Sequence, residues 1–132
     1  MTENTPKLVF VSGASRGIGK GIADWFIDRG YLVAYGYLKN NNFDQETNDN
    51  QNFFSVKVDV TKRDSIKSAI EETQKFFEKK IDILVNNAAI AQEKPFSTIS
   101  DEDWDLMMKT NLKGPFIFCQ EVLPQMVETK WG

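Results

Sequence analysis

Leu8-Val-Phe-Val-Ser-Gly-Ala-Ser-Arg-Gly-Ile-Gly19 is the stretch from which the rest of the chain is read. Leu8 to Val11 is a short apolar run closed by glycine, the pattern of a strand buried on both faces. Gly13, Gly17 and Gly19 follow with the spacing G-x-x-x-G-x-G. Helical periodicity then begins at Ile18 and puts Ile22, Trp25 and Phe26 on one face.

A strand, a glycine turn and a helix together make an anion site. Backbone N–H groups at a helix start are unpaired and carry the positive end of the helix dipole. Gly13 allows the tight turn. Gly17 lets a phosphate approach the backbone, and Gly19 lets the helix pack close on the strand. Ser12, Ser15 and Arg16 add donors. The spacing is not G-x-G-x-x-G, and taken alone the motif also fits an ordinary tight turn.

Composition narrows the chemistry. The chain has 132 residues, 41% hydrophobic and 27% charged, which suits one globular domain over residues 1–132. Lys and Arg total 16 against 19 Asp and Glu, for a net charge of −3. That balance argues against a nucleic-acid partner. No apolar run is long enough to span a membrane, and the polar start does not read as a signal peptide. There is no histidine and one cysteine, Cys119. Ser-His and Cys-His pairs, an internal disulfide and a thiolate zinc site are thereby excluded, and no metal site is expected. Cys119 lies in an apolar helical run and reads as a buried small residue. The expected location is the cytoplasm.

Further along, helix is expected over residues 16–29, ended by Gly30 in the left-handed cap position. Residues 31–37 are aromatic and β-branched enough for a second strand. Residues 39–51 read as a loop with a short helix near 43–47, and residues 53–58 as a third strand. Thr61 with Asp64 suggests a capping box for the next helix, whose apolar positions are Ile66, Ala69, Ile70, Thr73, Phe76 and Phe77. A fourth strand is expected over 81–85. Ser100 caps a short helix with Asp101, Glu102 and Asp103 in its first turn. A last helix is expected over 111–130, with Leu112, Phe116, Cys119, Leu123, Met126 and Val127 as its apolar positions and a kink at Pro124.

Strands and helices alternate, so the fold class is α/β: a Rossmann-like doubly wound parallel sheet of order 3-2-1-4 with right-handed crossovers. Its switch point lies between strands 1 and 4, and Gly13, Asp59 and Asn87 each follow a strand and converge there.

Asp59-Val60, Asn86-Asn-Ala-Ala89 and Asn111-Leu-Lys-Gly114 join the glycine turn as landmarks, each on its expected element. Together they resemble the short-chain dehydrogenase/reductase family, in its 3-oxoacyl-acyl-carrier-protein reductase type, over nearly the whole chain. The resemblance implies an oxidoreductase that moves hydride between a nicotinamide and a carbonyl or hydroxyl substrate, here a small molecule that an acyl carrier protein can carry. It implies that Gly13, Ala14, Ser15, Arg16, Gly17, Ile18 and Gly19 cradle the pyrophosphate. Asp59 accepts from the adenine amino group with the Val60 backbone beside it, and Asn87, Ala88 and Ala89 line the nicotinamide-side ribose. Asn111 matches the family's active-site asparagine, which holds a water in a proton relay. Asp59 also reads as a cap ahead of Thr61, and Asn111 as a polar residue at a helix start.

Two landmarks depart from the family pattern. Ser12 replaces the usual threonine and keeps the hydroxyl. Ala89 replaces glycine, and its methyl crowds a ligand if the backbone there needs positive φ. Family members specific for NAD place an acid at the end of strand 2. This chain has Tyr37, Leu38 and Lys39 there, and Arg16 in the turn, so NADP(H) is expected over NAD(H).

The family's catalytic serine and its helical Tyr-x-x-x-Lys fall beyond the matched landmarks. Tyr35-x-x-x-Lys39 has the spacing, but on a strand four residues separate by roughly 13 Å. The 132 residues are therefore expected to be the amino-terminal, cofactor-binding part of a reductase, inactive alone. A dinucleotide-binding module and a structural remnant packed on another chain are the alternatives. Strand 4 as a sheet edge, and an apolar last helix, lead to the expectation of a homo-oligomer.

Overall fold

The computed structural model describes residues 5–132. Four short strands carry the fold: β1 (Leu8–Val11), β2 (Leu32–Tyr37), β3 (Phe53–Lys57) and β4 (Ile83–Val85). They form one parallel sheet in the order β3-β2-β1-β4. Val9 pairs with Val33 on one side and with Ile83 on the other. The crossovers carry α1 (Gly17–Ile27), α2 (Gln45–Asp49) and α3 (Arg63–Phe77); α4 (Asp101–Met108) and α5 (Gly114–Thr129) follow β4.

All four β1 residues are buried, because helices cover both faces of the sheet. Alternation along β1 divides the core. Leu8 and Phe10 face Ile66, Ile70 and Phe118 under α3 and α5, while Val9 and Val11 face Ala23, Tyr35 and Phe43 under α1. The rings of Phe10 and Phe118 are tilted with centroids 5.0 Å apart.

Several local expectations need correction. Helix α1 buries Gly19 and Ala23, whereas Ile18 and Trp25 are exposed. The small residues face the sheet because the helix approaches it closely. The predicted Thr61 capping box does not form: α3 starts after Lys62 and has no side-chain cap bond. The Thr61 hydroxyl is instead committed to Asp59 at 2.6 Å.

The last helix does not start at Asn111. The backbone runs from α4 through a single π turn (Lys109–Lys113) into α5, and the Gly114 N–H reaches back to the Lys109 carbonyl. Pro115 explains the wide turn, since it has no N–H to bond residue 111 and its ring crowds that carbonyl. Helix α5 buries Gly114, Ile117, Phe118 and Val122. Leu112, Phe116, Cys119, Leu123 and Val127 are exposed. Apolar residues occur on both sides of this helix, so periodicity alone does not choose the buried face. Cys119 is thus a surface thiol. Ser100, by contrast, caps α4 as expected, in a reciprocal pair with Asp103.

Candidate functional site

The glycine turn links β1 to α1 at the carboxyl ends of the strands. Gly13 and Gly17 sit at φ +68° and +59°, a region that disfavours every L side chain. The space beside Gly17 is open to solvent, while a Cβ at Gly19 would fall on the Gly13 carbonyl and the Asn87 amide. Gly19 therefore lets the helix close on the strand, and Gly17 leaves the backbone open to a ligand. No side chain caps the start of α1, so its first N–H groups remain available. Ala14 points the other way. It is fully buried, and its N–H donates to the Gly36 carbonyl at 2.8 Å.

Ser12 is not a donor to an anion. It is 1% exposed, and its hydroxyl accepts from the backbone N–H groups of Asn87 and Ala88 at 3.1 and 3.0 Å. The Asn87 amide donates back to the carbonyls of Ser12 and Gly13, at 3.1 and 3.0 Å. These bonds stitch the end of β4 to the end of β1. They hold Ala88, Ala89 and Ile90 as one wall of a cleft. Ala89 brings no strain, because the positive-φ residues other than glycine among those described are Glu78 and Lys130.

Asn111 acts on the same wall from the π turn. Its amide nitrogen donates to the Ile90 carbonyl at 2.8 Å, and its oxygen accepts from the Ile90 N–H at 2.9 Å. The side chain clamps residue 90, and Asn111 is not among the residues that line the cleft.

Asp59 follows β3 on the opposite wall. Its Oδ1 accepts from the Thr61 N–H at 3.0 Å and from the Thr61 hydroxyl at 2.6 Å. Lys62 Nζ lies 3.7 Å from Oδ2. Partial burial raises the Asp59 pKa. The two Thr61 bonds, with Lys62 and Lys109, outweigh this and hold the carboxyl below the ordinary carboxylate value. Asp59 is therefore an ionised acceptor at neutral pH.

Between these walls lies a cleft of about 930 Å³, lined by the turn from Gly13 to Gly19 except Ala14, and by Tyr37, Leu38, Lys39, Asp59, Val60, Asn87, Ala88 and Ala89. Asn40, Val58, Thr61, Ile90, Leu106 and Thr110 also line it and were not anticipated. Leu106 and Thr110 are one helical turn apart, a signal that is lost once the helix is taken to begin at residue 111. Arg16 and Lys39 face the cleft, and among the described residues neither forms an ion pair. Tyr35 is fully buried in β2 and its hydroxyl donates to Asp24 at 2.7 Å, so it forms no pair with Lys39 in the cleft. Among the described residues no cluster of acids or thiols is arranged to hold a metal ion, and no helix is long and apolar enough to cross a membrane.

The short chain dehydrogenase family profile matches residues 7–132. The 3-oxoacyl-acyl-carrier-protein reductase FabG of Staphylococcus epidermidis is 34% identical over 131 residues, covering 96% of this chain and 53% of that protein. An NAD-dependent glycerol dehydrogenase of Listeria innocua is also 34% identical, with 97% and 50% covered. Among solved structures, a short-chain dehydrogenase from Streptomyces avermitilis superposes with a TM-score of 0.86 at 25% identity, over 97% of this chain and 47% of that one. Ligand-free aldohexose dehydrogenase of Thermoplasma acidophilum gives 0.81 at 29% identity, over 93% and 45%. The chain spans about half the length of the curated relatives it matches.

Proposed function

The chain belongs to the short-chain dehydrogenase family, and on that premise we propose that its cleft holds NADP(H) in preference to NAD(H), in an oxidoreductase that moves hydride between a nicotinamide and a carbonyl or hydroxyl substrate. The observation that carries the proposal is the open backbone at Gly17 beside an uncapped helix start, with Arg16 and Lys39 facing the same cleft. N–H groups and a helix dipole suit a pyrophosphate. Two cations and no acid where β2 ends suit a further phosphate on the ribose. Asp59 offers the adenine amino group an ionised acceptor, and Asn87 to Ala89 give the nicotinamide-side ribose a rigid wall.

When bound, the dinucleotide supplies or takes up the hydride. The residues present bind and orient it: the turn fixes the phosphates, Ser12 and Asn87 hold the far wall, and Asn111 fixes Ile90 beside it. A small 3-oxoacyl substrate, carried by an acyl carrier protein, is the proposed substrate class, supported by the reductases among the relatives. We place the protein in the cytoplasm, where a single free thiol stays reduced. A homo-oligomer is supported by the exposed Leu112, Phe116, Leu123 and Val127.

Residues 1–132 are proposed as one domain that does not turn over substrate alone, because in its Tyr-x-x-x-Lys spacing Tyr35 is buried in β2 and Lys39 lies past the end of that strand. A positioned proton donor typically contributes about 10² to 10⁴ in rate.

The test is a calorimetric titration of NADPH and of NADH at one salt concentration. Tighter binding of NADPH is expected, and equal affinity or a preference for NADH would overturn the cofactor assignment.

A further inference from the structure

Asp59 has two carboxylate oxygens in different surroundings. Oδ1 is saturated by Thr61, through the N–H at 3.0 Å and the hydroxyl at 2.6 Å. Among the described residues the ion partner within 4 Å of Oδ2 is the Lys62 ammonium at 3.7 Å, beyond a good hydrogen bond, and the Lys62 side chain is 71% exposed. The Asp59 side chain is itself 27% exposed, and both Asp59 and Thr61 line the cleft. From the other side, the Asp59 N–H donates to the Ser65 hydroxyl at 2.9 Å and fixes the backbone. One oxygen is locked, the backbone is pinned, and the second oxygen is left for a ligand.

We propose that Thr61 is a positioning residue for base recognition: its hydroxyl holds Asp59 so that Oδ2 faces a donor on the purine ring, and this selects a 6-amino over a 6-oxo purine. The inference rests on the reading that Asp59 meets the adenine of the dinucleotide. An ionised carboxylate only accepts hydrogen bonds. The exocyclic amino group of adenine donates, whereas the 6-oxo group of hypoxanthine accepts and faces the carboxylate with like polarity. Without the Thr61 hydroxyl, Oδ1 regains a free lone pair and the carboxylate can turn toward Lys62 or Lys109, the cations that face it from α3's entry and from the π turn. The same change removes a bond that favours the charged form, so Asp59 titrates at higher pH.

The test compares AMP and IMP as probes on the whole protein and on Asp59→Asn, Thr61→Val and Thr61→Ser. Binding is read by calorimetry, and the Asp59 carboxyl is followed by carbon NMR through a pH titration. The wild type is expected to bind AMP at least tenfold tighter than IMP. Thr61→Val should reduce that ratio about threefold to tenfold, raise the Asp59 pKa, and leave the melting temperature nearly unchanged. Thr61→Ser restores the hydroxyl and should restore both readouts. If Asp59→Asn leaves the ratio at its wild-type value, the adenine reading itself fails. If Asp59→Asn collapses the ratio while Thr61→Val does not, Asp59 reads the base without Thr61 and the positioning role is overturned. If Thr61→Val lowers the ratio and Thr61→Ser does not rescue it, the effect belongs to shape rather than to the hydroxyl, and the proposal is likewise refuted.

Discussion

Ser12→Ala removes one oxygen atom from the fully enclosed end of β1. That oxygen accepts the N–H groups of both Asn87 and Ala88, at 3.1 and 3.0 Å, and also contacts the Val85 carbonyl at 3.4 Å. An alanine methyl fits the space but accepts nothing. Two backbone donors then lose their partner at a site shielded by the turn. Each unsatisfied buried donor costs about 1–3 kcal/mol, and Asn87 and Ala88 are half-buried, so the lower half of that range applies to each. The sum is about 2–4 kcal/mol, a large share of the roughly 5–15 kcal/mol that holds a domain together. Equilibrium urea unfolding reads this directly as a lower midpoint at unchanged slope. Hydrogen exchange at Asn87 and Ala88 should accelerate more than exchange at Phe10. Ser12→Thr keeps the oxygen and should stay within about 1 kcal/mol of the wild type. A Ser12→Ala variant within about 0.5 kcal/mol, with exchange at Asn87 unaltered, would refute the stitching role.

Lys39→Ala should weaken NADPH binding about tenfold or less and leave NADH nearly unaffected, as read by calorimetry at low salt. Gly17→Val forces a β-branched residue to φ +59° at a cost of about 1–3 kcal/mol; far-UV circular dichroism should stay near wild type while dinucleotide binding is lost. Asp103 is held below the ordinary carboxylate value first by the Lys94 hydrogen bond and then by the Ser100 N–H. Its folded pKa is depressed, so its pairing stabilises the protein above about pH 4 and is lost as pH falls further; Asp103→Asn should flatten the acid limb of stability against pH. Burial, and then the Asp24 hydrogen bond, push the Tyr35 phenol well above its ordinary value. That contribution is complete below about pH 10 and is lost at higher pH; Tyr35→Phe should reduce alkaline destabilisation, seen in the melting temperature.

The α/β class was legible because β1 is a continuous apolar run bounded by glycine and because strand and helix patterns alternate along the chain. The cleft was legible where a residue lies two positions past a strand end, as Gly13, Asp59 and Asn87 do. What sequence could not show is which way a small polar side chain turns. Ser12 has the composition of an anion donor, yet its buried hydroxyl accepts from two backbone N–H groups of a distant loop and donates to the Val85 carbonyl. Thr61 has the spacing of a cap, yet α3 starts one residue further on, after Lys62, and the Thr61 hydroxyl donates to Asp59. The π turn was hidden because Pro115 reads equally well as a first-turn proline. Taking the helix to begin at 111 also concealed Leu106 and Thr110, which lie on the helical stretch before it and face the cleft.

The central claim is that one dinucleotide lies across the strand ends from the glycine turn to the Ala88–Ile90 wall. Backbone amide shift mapping on addition of NADPH tests it most directly. The account predicts the largest shifts at Ser15 to Gly19, Lys39, Val60, Thr61 and Ala88 to Ile90, with the amides of α3 beyond Ile66 unmoved. Shifts confined to the outer faces of α3 or α5, or no shifts at millimolar NADPH, would contradict it.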